Sequence, residues 1–129
     1  MIIVDDHDDR VQYSEGWFTS GSYPEYLNTT HAAIGVGQTA TLSFTGVSIS
    51  VYGTLSGFGL GGIPTSQYVV DGAEPVSFTA PNISGASYHY QYFSSDLLED
   101  GTHSLVVTNT NDGTFWLDFF EYLPSPSTF

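Results

Sequence analysis

The chain has 129 residues, and its 14 Asp and Glu residues face a single basic side chain, Arg10, so the formal net charge is −13. The length indicates one domain that can bury a self-supporting core. So negative a chain disfavours nucleic acid and anionic membranes, which are recognised through Lys and Arg. It suits neutral ligands, cations and metal ions, although an acidic surface that only maintains solubility is the alternative. The absence of Cys excludes disulfides and thiolate zinc sites.

The chain opens with the apolar run Ile2–Val4, which is followed by the acidic run DDHDD at positions 5–9. If a strand continued through the acidic run, Asp5, His7 and Asp9 would share one face because side chains alternate. An EF-hand loop is excluded, since Arg10 stands at the tenth position and the required glycine is missing. The alternative for this run is a solvated edge that prevents sheets from aggregating.

Alternation with a period of two dominates the middle of the chain and predicts half-buried strands. The segments TATLSFT and VSISVYG lie on either side of Gly46, and their inward side chains are expected to be Ala40, Leu42, Phe44, Val47, Ile49 and Val51. The pair Asp71-Gly72 between QYVV and PVSFTA predicts a β-hairpin. The glycine-rich stretch from Gly53 to Pro64 predicts a long mobile loop at one end of the fold.

The second half continues the pattern of strands and turns. The segment 88–93 predicts a strand with Tyr88, Tyr90 and Tyr92 on one face. Turns at 99–101 and 111–113 separate the strands THSLVVTNT and FWLDFFEYL. Strands at intervals of about ten residues predict an all-β antiparallel β-sandwich, with one domain at 1–123 and a Pro/Ser-rich tail at 124–129.

Features of enzymes and membrane proteins are scarce. There is no G-x-S-x-G elbow, no H-E-x-x-H motif and no run long and apolar enough to span a bilayer. A glycosidase needs only two carboxylates, and such a pair cannot be picked out among so many acids, but small domains of this fold class more often bind than catalyse. We therefore expect no enzyme. Sequons at Asn28 and Asn82 favour a secreted or cell-surface location.

A resemblance to a known family follows from seven segments in order: IIVDD, YSEGW, TATLSFTGVSISVYG, YVVDGAEPVSF, YHYQYFSS, DGTHSLVVT and FWLDFFEY. Together they resemble a galactose-binding-domain-like jelly roll of the kind found in carbohydrate-binding module families six and thirty-five. They resemble still more the related ectodomains of fungal cell-surface proteins. The resemblance implies a jelly-roll sandwich that binds carbohydrate and contacts neither nucleic acid nor membrane.

The resemblance also implies a structural calcium ion, held by acidic residues of the first strand and an aspartate of the last. The positions that match are Asp5, Asp6 and Asp118. The related families usually open with alternating glutamates, from which this chain departs. Calcium takes six to eight oxygen ligands and accepts them from distant segments. An exposed, unligated Asp118 is the alternative, since an aspartate amid aromatic residues must face solvent or have a partner.

For a sugar, the resemblance implies a cleft on loops at one end of the sandwich, with aromatic walls and a polar contact. The candidates are Trp17, Tyr23, Tyr26, His31, Tyr88, Tyr90, Asn111 and Asp112. Aromatic rings stack on the apolar faces of sugars, and polar groups hold the hydroxyls. Core packing is the alternative for Trp17 and for the tyrosines, and Trp116 is expected to pack.

Two functions therefore stay open. The first is a lectin-like domain with a structural calcium ion and a shallow aromatic cleft for a neutral glycan. The second is a cell-surface adhesion or display ectodomain with no sugar site. His103, in the segment DGTHSL, is expected to be structural and hydrogen-bonded near the turn.

Overall fold

A computed structural model describes residues 2–20, 30–33, 35–55, 65–81, 87–110 and 115–124. Ten strands occupy these ranges: β1 Ile2–Asp5, β2 Val11–Tyr13, β3 Phe18–Ser20, β4 Thr30–Ala33, β5 Thr39–Leu55, β6 Thr65–Val70, β7 Val76–Thr79, β8 Ser87–Ser94, β9 Gly101–Asn109 and β10 Phe115–Pro124. Over the same ranges, no helix is long and apolar enough to cross a membrane. The expected all-β, antiparallel fold is confirmed.

The strands form two layers joined by β5. In the first layer, the N-terminal half of β5 pairs with β2 and β9, and β9 continues to β6 and β7. In the second layer, the C-terminal half of β5 pairs with β8 and β10, and β10 pairs with β4 and β1. All of these pairings are antiparallel, and β3 adds to β4 at the edge. This arrangement is a jelly-roll sandwich.

The two segments flanking Gly46 are one strand, β5, rather than the two strands that the sequence suggested. The register between β5 and β10 shifts at Val47, where β5 carries one extra residue. The shift reverses the alternation, so that even-numbered residues are buried before it and odd-numbered residues after it. The strand thereby leaves one layer and enters the other. A Cβ atom on Gly46 would overlap the carbonyl oxygen of Leu123, which explains the glycine at this crossing.

The predicted alternation of β8 is wrong in part. Tyr92 and Phe93 are both buried, because β8 carries an extra residue opposite the Val51–Tyr52 step of β5. A second irregularity follows near His89, whose φ of 52° lies in the left-handed region. The two bulges bring Tyr92 and Phe93 into the core and leave Tyr88 exposed.

The core lies between the two layers. Its largest fully buried side chains include Tyr68, Phe120, Leu42, Ile49, Leu105 and Leu117. Tyr68 of the first layer stacks on Phe93 of the second, with ring centroids 5.0 Å apart. Burying an apolar side chain of this size stabilises a fold by about 1.5–3 kcal/mol, so the core fixes both layers together. The six side chains expected to face inward along β5 are all buried.

The strand ends on either side of segments 56–64, 82–86 and 111–114 lie close together, at one end of the sandwich. Leu55 pairs with Ser87, Ser66 pairs with Asn109, and Thr110 donates its N–H to the Thr65 carbonyl. The residues before and after 56–64, 82–86 and 111–114 therefore lie at the same end. The mobile loop expected at Gly53–Pro64 is β5 as far as Leu55, and its remainder lies outside the described residues.

Candidate functional site

The last strand places Asp118 at a junction of strands. Between Leu117 and Phe119, β10 carries one extra residue relative to β5, and that residue is Asp118. On the other edge of β10, Leu117 pairs with His31 of β4 and Phe119 pairs with Asp5 of β1. Asp118 thus lies between the part of β10 that pairs with β4 and the part that pairs with β1. Segments far apart in the sequence therefore meet beside it.

Three carboxylates meet at this junction, those of Asp5, Asp6 and Asp118, and we call them the aspartate cluster. Their oxygens lie within 4.8 Å of one another. Asp6 and Asp118 are fully buried, and the Asp6 N–H donates to the Asp118 carbonyl at 3.0 Å. Burying carboxylates so close together is costly unless positive charge or donors compensate them. The arrangement can therefore hold a cation.

The single basic residue of the chain is bound elsewhere. The guanidinium of Arg10 donates to both carboxylate oxygens of Asp8, at 3.1 and 2.9 Å. These hydrogen bonds hold the pKa of Asp8 below its ordinary value. The chain has no Lys, and its one Arg is paired with Asp8. Neither a lysine nor an arginine therefore serves as the main counter-charge of the aspartate cluster.

Three of the four histidines adjoin the aspartate cluster. His31 Nδ1 lies 2.7 Å from Asp6 Oδ2, and His7 Nε2 lies 3.9 Å from the same oxygen. His89 Nε2 lies 3.7 Å from Asp118 Oδ2. The four histidines stand at positions 7, 31, 89 and 103, a spacing that does not indicate a metal site. Among these histidines, the sequence pointed to a metal site only at His7, which stands within the acidic run. His31 and His89 approach the aspartate cluster through the pairings of β4 and β8, which the sequence does not reveal.

Tyr13 of β2 fixes the position of His31 and Asp6. Its hydroxyl donates to the Asp6 carbonyl at 2.7 Å, and its ring stacks on His31 with centroids 4.0 Å apart and planes 3° apart. Burial raises the pKa of Tyr13, with a further contribution from the negative charges of Asp6 and Asp5. The tyrosine stays protonated and therefore keeps its donor.

A second candidate region lies at the end of the sandwich where Leu55, Thr65, Ser87 and Thr110 lie. There a row of aromatic rings runs from Trp17 through Phe115 and Tyr92 to Phe78 and Tyr90, with successive centroids 5.0 to 6.1 Å apart. Leu55 and Ser66 join Phe78, Tyr92 and Phe115 around a small cavity. Such a row can floor a site for a ligand with apolar faces.

Four of the eight residues expected to bind sugar are described, and they do not form one group. Trp17 is half-buried and packs on Tyr13 and Phe115, so its core alternative has support. Tyr90 is half-buried against Phe78, while Tyr88 is exposed. His31 lies at the aspartate cluster rather than in the aromatic row. The other four candidates, Tyr23, Tyr26, Asn111 and Asp112, lie outside the described residues.

Two further expectations can be followed in the structure. Trp116 packs edge-on against Phe18, with centroids 5.9 Å apart, on the outer face of the second layer. His103 is hydrogen-bonded to Asp71 in the turn of the β6–β7 hairpin and to the Glu99 carbonyl just before β9, as expected of a structural histidine. Residues 125–129 of the predicted tail lie outside the described residues, and β10 ends at Pro124.

Comparison by sequence finds no relative: no protein-family model matches the chain, and no curated protein does. Comparison by structure finds several. A family 35 carbohydrate-binding module from Clostridium thermocellum superposes with a TM-score of 0.67 at 9% identity, over 95% of this chain and 98% of that one.

Two enzymes contain a similar unit. A two-domain esterase active on acetylated mannans matches with a TM-score of 0.70 at 18% identity, over 96% of this chain and 36% of its own. An exo-β-1,3-galactanase from Phanerochaete chrysosporium matches with a TM-score of 0.65 at 15% identity, over 92% of this chain and 28% of its own. The chain thus spans only about a third of these enzymes. What this chain shares with these three proteins is the jelly-roll fold.

Proposed function

We propose that this chain is a non-catalytic carbohydrate-binding domain that acts outside the cell, contains a structural calcium ion and binds a neutral glycan. The observation that carries the proposal is the jelly-roll fold, shared over nearly its whole length with a carbohydrate-binding module. The match covers only about a third of each enzyme's own chain, which fits an accessory unit rather than a complete catalyst.

The calcium ion is supported by the aspartate cluster. Its three carboxylates come from both ends of the chain and supply hard oxygen ligands, which calcium prefers. Two of them are fully buried, where a divalent ion compensates their charge better than water can. Since the ion would tie β1 to β10, its binding energy would add to the stability of the fold.

The glycan is supported by the aromatic row and by the charge of the chain. Trp17, Phe78 and Tyr90 are the partly buried rings of this row and offer faces for stacking, and Tyr88 is exposed nearby on the same strand as Tyr90. A net charge of −13 disfavours acidic polysaccharides by repulsion. A neutral glycan is therefore the ligand class that fits this chain best.

The calcium proposal is tested by thermal unfolding of chelator-treated protein with and without calcium. We expect calcium to raise the melting temperature of the wild type by several degrees, because it binds only the folded state. Asp118→Asn should abolish that rise, whereas Asp9→Asn should keep it, because Asp9 is an exposed acid outside the aspartate cluster. A wild type that melts identically in calcium and in chelator would remove the ion from the proposal.

The glycan proposal is tested on an array of neutral and acidic glycans, with calcium present. We expect hits among neutral glycans, and we expect Tyr88→Ala to weaken them about tenfold by loss of one stacking face. Phe18→Ala is the matched control, since its ring is equally exposed but lies on the outer face near Trp116. A folded protein without any hit would instead favour the adhesion or display role.

A further inference from the structure

A second set of metal donors lies beside the aspartate cluster and shares one residue with it. Asp6, His7 and His31 each offer one ligand atom, and these atoms lie within 4.8 Å of one another. The set combines one carboxylate with two imidazoles, whereas the aspartate cluster offers oxygen alone. Imidazole nitrogen is a ligand for zinc, copper and nickel, while calcium takes oxygen. The two sets therefore differ in the ions that they suit.

The distances fit a single small ion after a minor movement of one side chain. Zinc binds nitrogen and oxygen at about 2.0–2.2 Å, so two neighbouring ligands of one ion lie roughly 3 Å apart. Asp6 Oδ2 and His31 Nδ1 are 2.7 Å apart, and Asp6 Oδ2 and His7 Nε2 are 3.9 Å apart. The His7 side chain is 46% exposed, so a rotation can bring it closer without disturbing the core.

Two of the three donors are held in place before any ion binds. Asp6 is fully buried, and the stacked Tyr13 ring fixes the plane of His31. The turn that carries His7 is fastened as well, because the His7 N–H donates to Asp5 Oδ2 at 3.2 Å and the Asp8 N–H donates to the Asp5 carbonyl. Preorganised ligands lose less freedom on binding and so bind more tightly.

We propose that Asp6, His7 and His31 form a second metal site, selective for a divalent transition-metal ion such as Zn²⁺, Ni²⁺ or Cu²⁺. Three protein ligands leave at least one coordination position for water or a ligand group, on the side where His7 meets solvent. Because Asp6 belongs to both donor sets, an ion in this site competes with calcium for that carboxylate. The site does not depend on whether the domain binds a glycan.

The experiment is a calorimetric titration of the chelator-treated chain with Zn²⁺ alone, followed by electron paramagnetic resonance of the Cu²⁺ complex. We expect one Zn²⁺ per chain and a Cu²⁺ spectrum with couplings to two imidazole nitrogens. His7→Gln should weaken Zn²⁺ binding about tenfold or more and leave one nitrogen coupling. The His7 side chain is exposed, so this substitution does not put the fold at risk.

Two controls separate this site from the calcium site and from nonspecific binding. His103→Gln, far along the chain and engaged with Asp71, should leave the Zn²⁺ affinity unchanged. Asp118→Asn should lose the calcium effect on melting and keep Zn²⁺ binding. Equal Zn²⁺ affinity in wild type and His7→Gln, or no uptake at micromolar concentrations, overturns the second site whatever the calcium result.

Discussion

Tyr92 shows how a single residue joins three strands. Its ring crosses Gly53, where a Cβ atom would overlap both this ring and the Trp116 carbonyl oxygen. Its hydroxyl lies 2.8 Å from the Thr54 carbonyl oxygen and 3.0 Å from that of Trp116, so it donates to the backbone of β5 or β10. The glycine and the tyrosine therefore depend on each other.

We expect Tyr92→Phe to lower the free energy of unfolding by about 1–2 kcal/mol, because a buried hydrogen bond is lost while the ring stays in place. Urea denaturation measures this difference. Tyr52→Phe is the matched control, since its hydroxyl donates to Gln91 Oε1 at the surface. There we expect a change below about 0.5 kcal/mol. Equal losses in the two variants would contradict the role of the buried hydroxyl.

Single residues also show what sequence can reveal of a site. An aspartate amid the aromatic residues of 115–120 had to face solvent or have a partner, because burying a lone carboxylate is costly, and Asp118 is fully buried. The approach of Asp5 and Asp6 was predicted through the family resemblance. The contact of His31 with Asp6 was not predicted, since it depends on the register of β4 against β10, and register leaves no trace in the local pattern.

Among the elements, the β6–β7 hairpin is fastened to β9 through its turn. Asp71, with a φ of 53°, accepts the Ser104 N–H at 2.8 Å and a hydrogen bond from His103 Nδ1. The other ring nitrogen of His103 contacts the Glu99 carbonyl oxygen at 2.6 Å. Both partners are acceptors, so both bonds form only when the imidazole is protonated. The bonds to Asp71 and to Glu99 raise the pKa of His103, and the bonds from His103 and from the Ser104 N–H lower the pKa of Asp71.

The two shifts predict a pH window for the stability of the hairpin. The contribution of His103 is fully present below its ordinary pKa of 6.5 and is lost as pH rises through its raised value. The contribution of Asp71 is present above its ordinary pKa of 3.8 and is lost as pH falls through its lowered value. We therefore expect the largest contribution between about pH 4 and pH 6.5.

Urea midpoints across this range, for the wild type and Asp71→Asn, measure the effect. Asparagine accepts the left-handed backbone at this position, so the variant removes the charge without straining the turn. The difference between the two proteins should be greatest near pH 5 and should shrink above pH 7. A difference that does not change with pH would show that the charged pair adds nothing to the fold.

The same scale shows where the sequence pattern stops. The hairpin at Asp71-Gly72 was predicted correctly, because a turn with two residues of positive φ has a local signature. The sequence did not predict that β5 passes through both layers, or that the neighbours Tyr92 and Phe93 are both buried. Both result from one extra residue opposite a partner strand, and a bulge is a property of two strands together.

For the whole molecule, the fold was predictable because turns and alternation agree along most of the chain. The loss of stability through charge repulsion can be predicted from the composition alone. Fourteen acidic residues and one basic residue confine a charge of −13 to one small sandwich. Mutual repulsion of this kind destabilises a compact state. Raising monovalent salt from 0.01 M to 0.15 M shortens the screening length from about 30 Å to about 8 Å and so weakens the repulsion.

We therefore expect the melting temperature of the metal-free domain at pH 7 to rise by a few degrees over this range of choline chloride, a salt whose cation binds carboxylates weakly. A gain of about 1 kcal/mol raises the melting temperature of a domain this size by roughly 4 °C. Near pH 4 many carboxylates take up protons, so the same salt should have a much smaller effect. Similar salt effects at both pH values would mean that the repulsion is already balanced within the fold, and that the acidic surface costs the sandwich little.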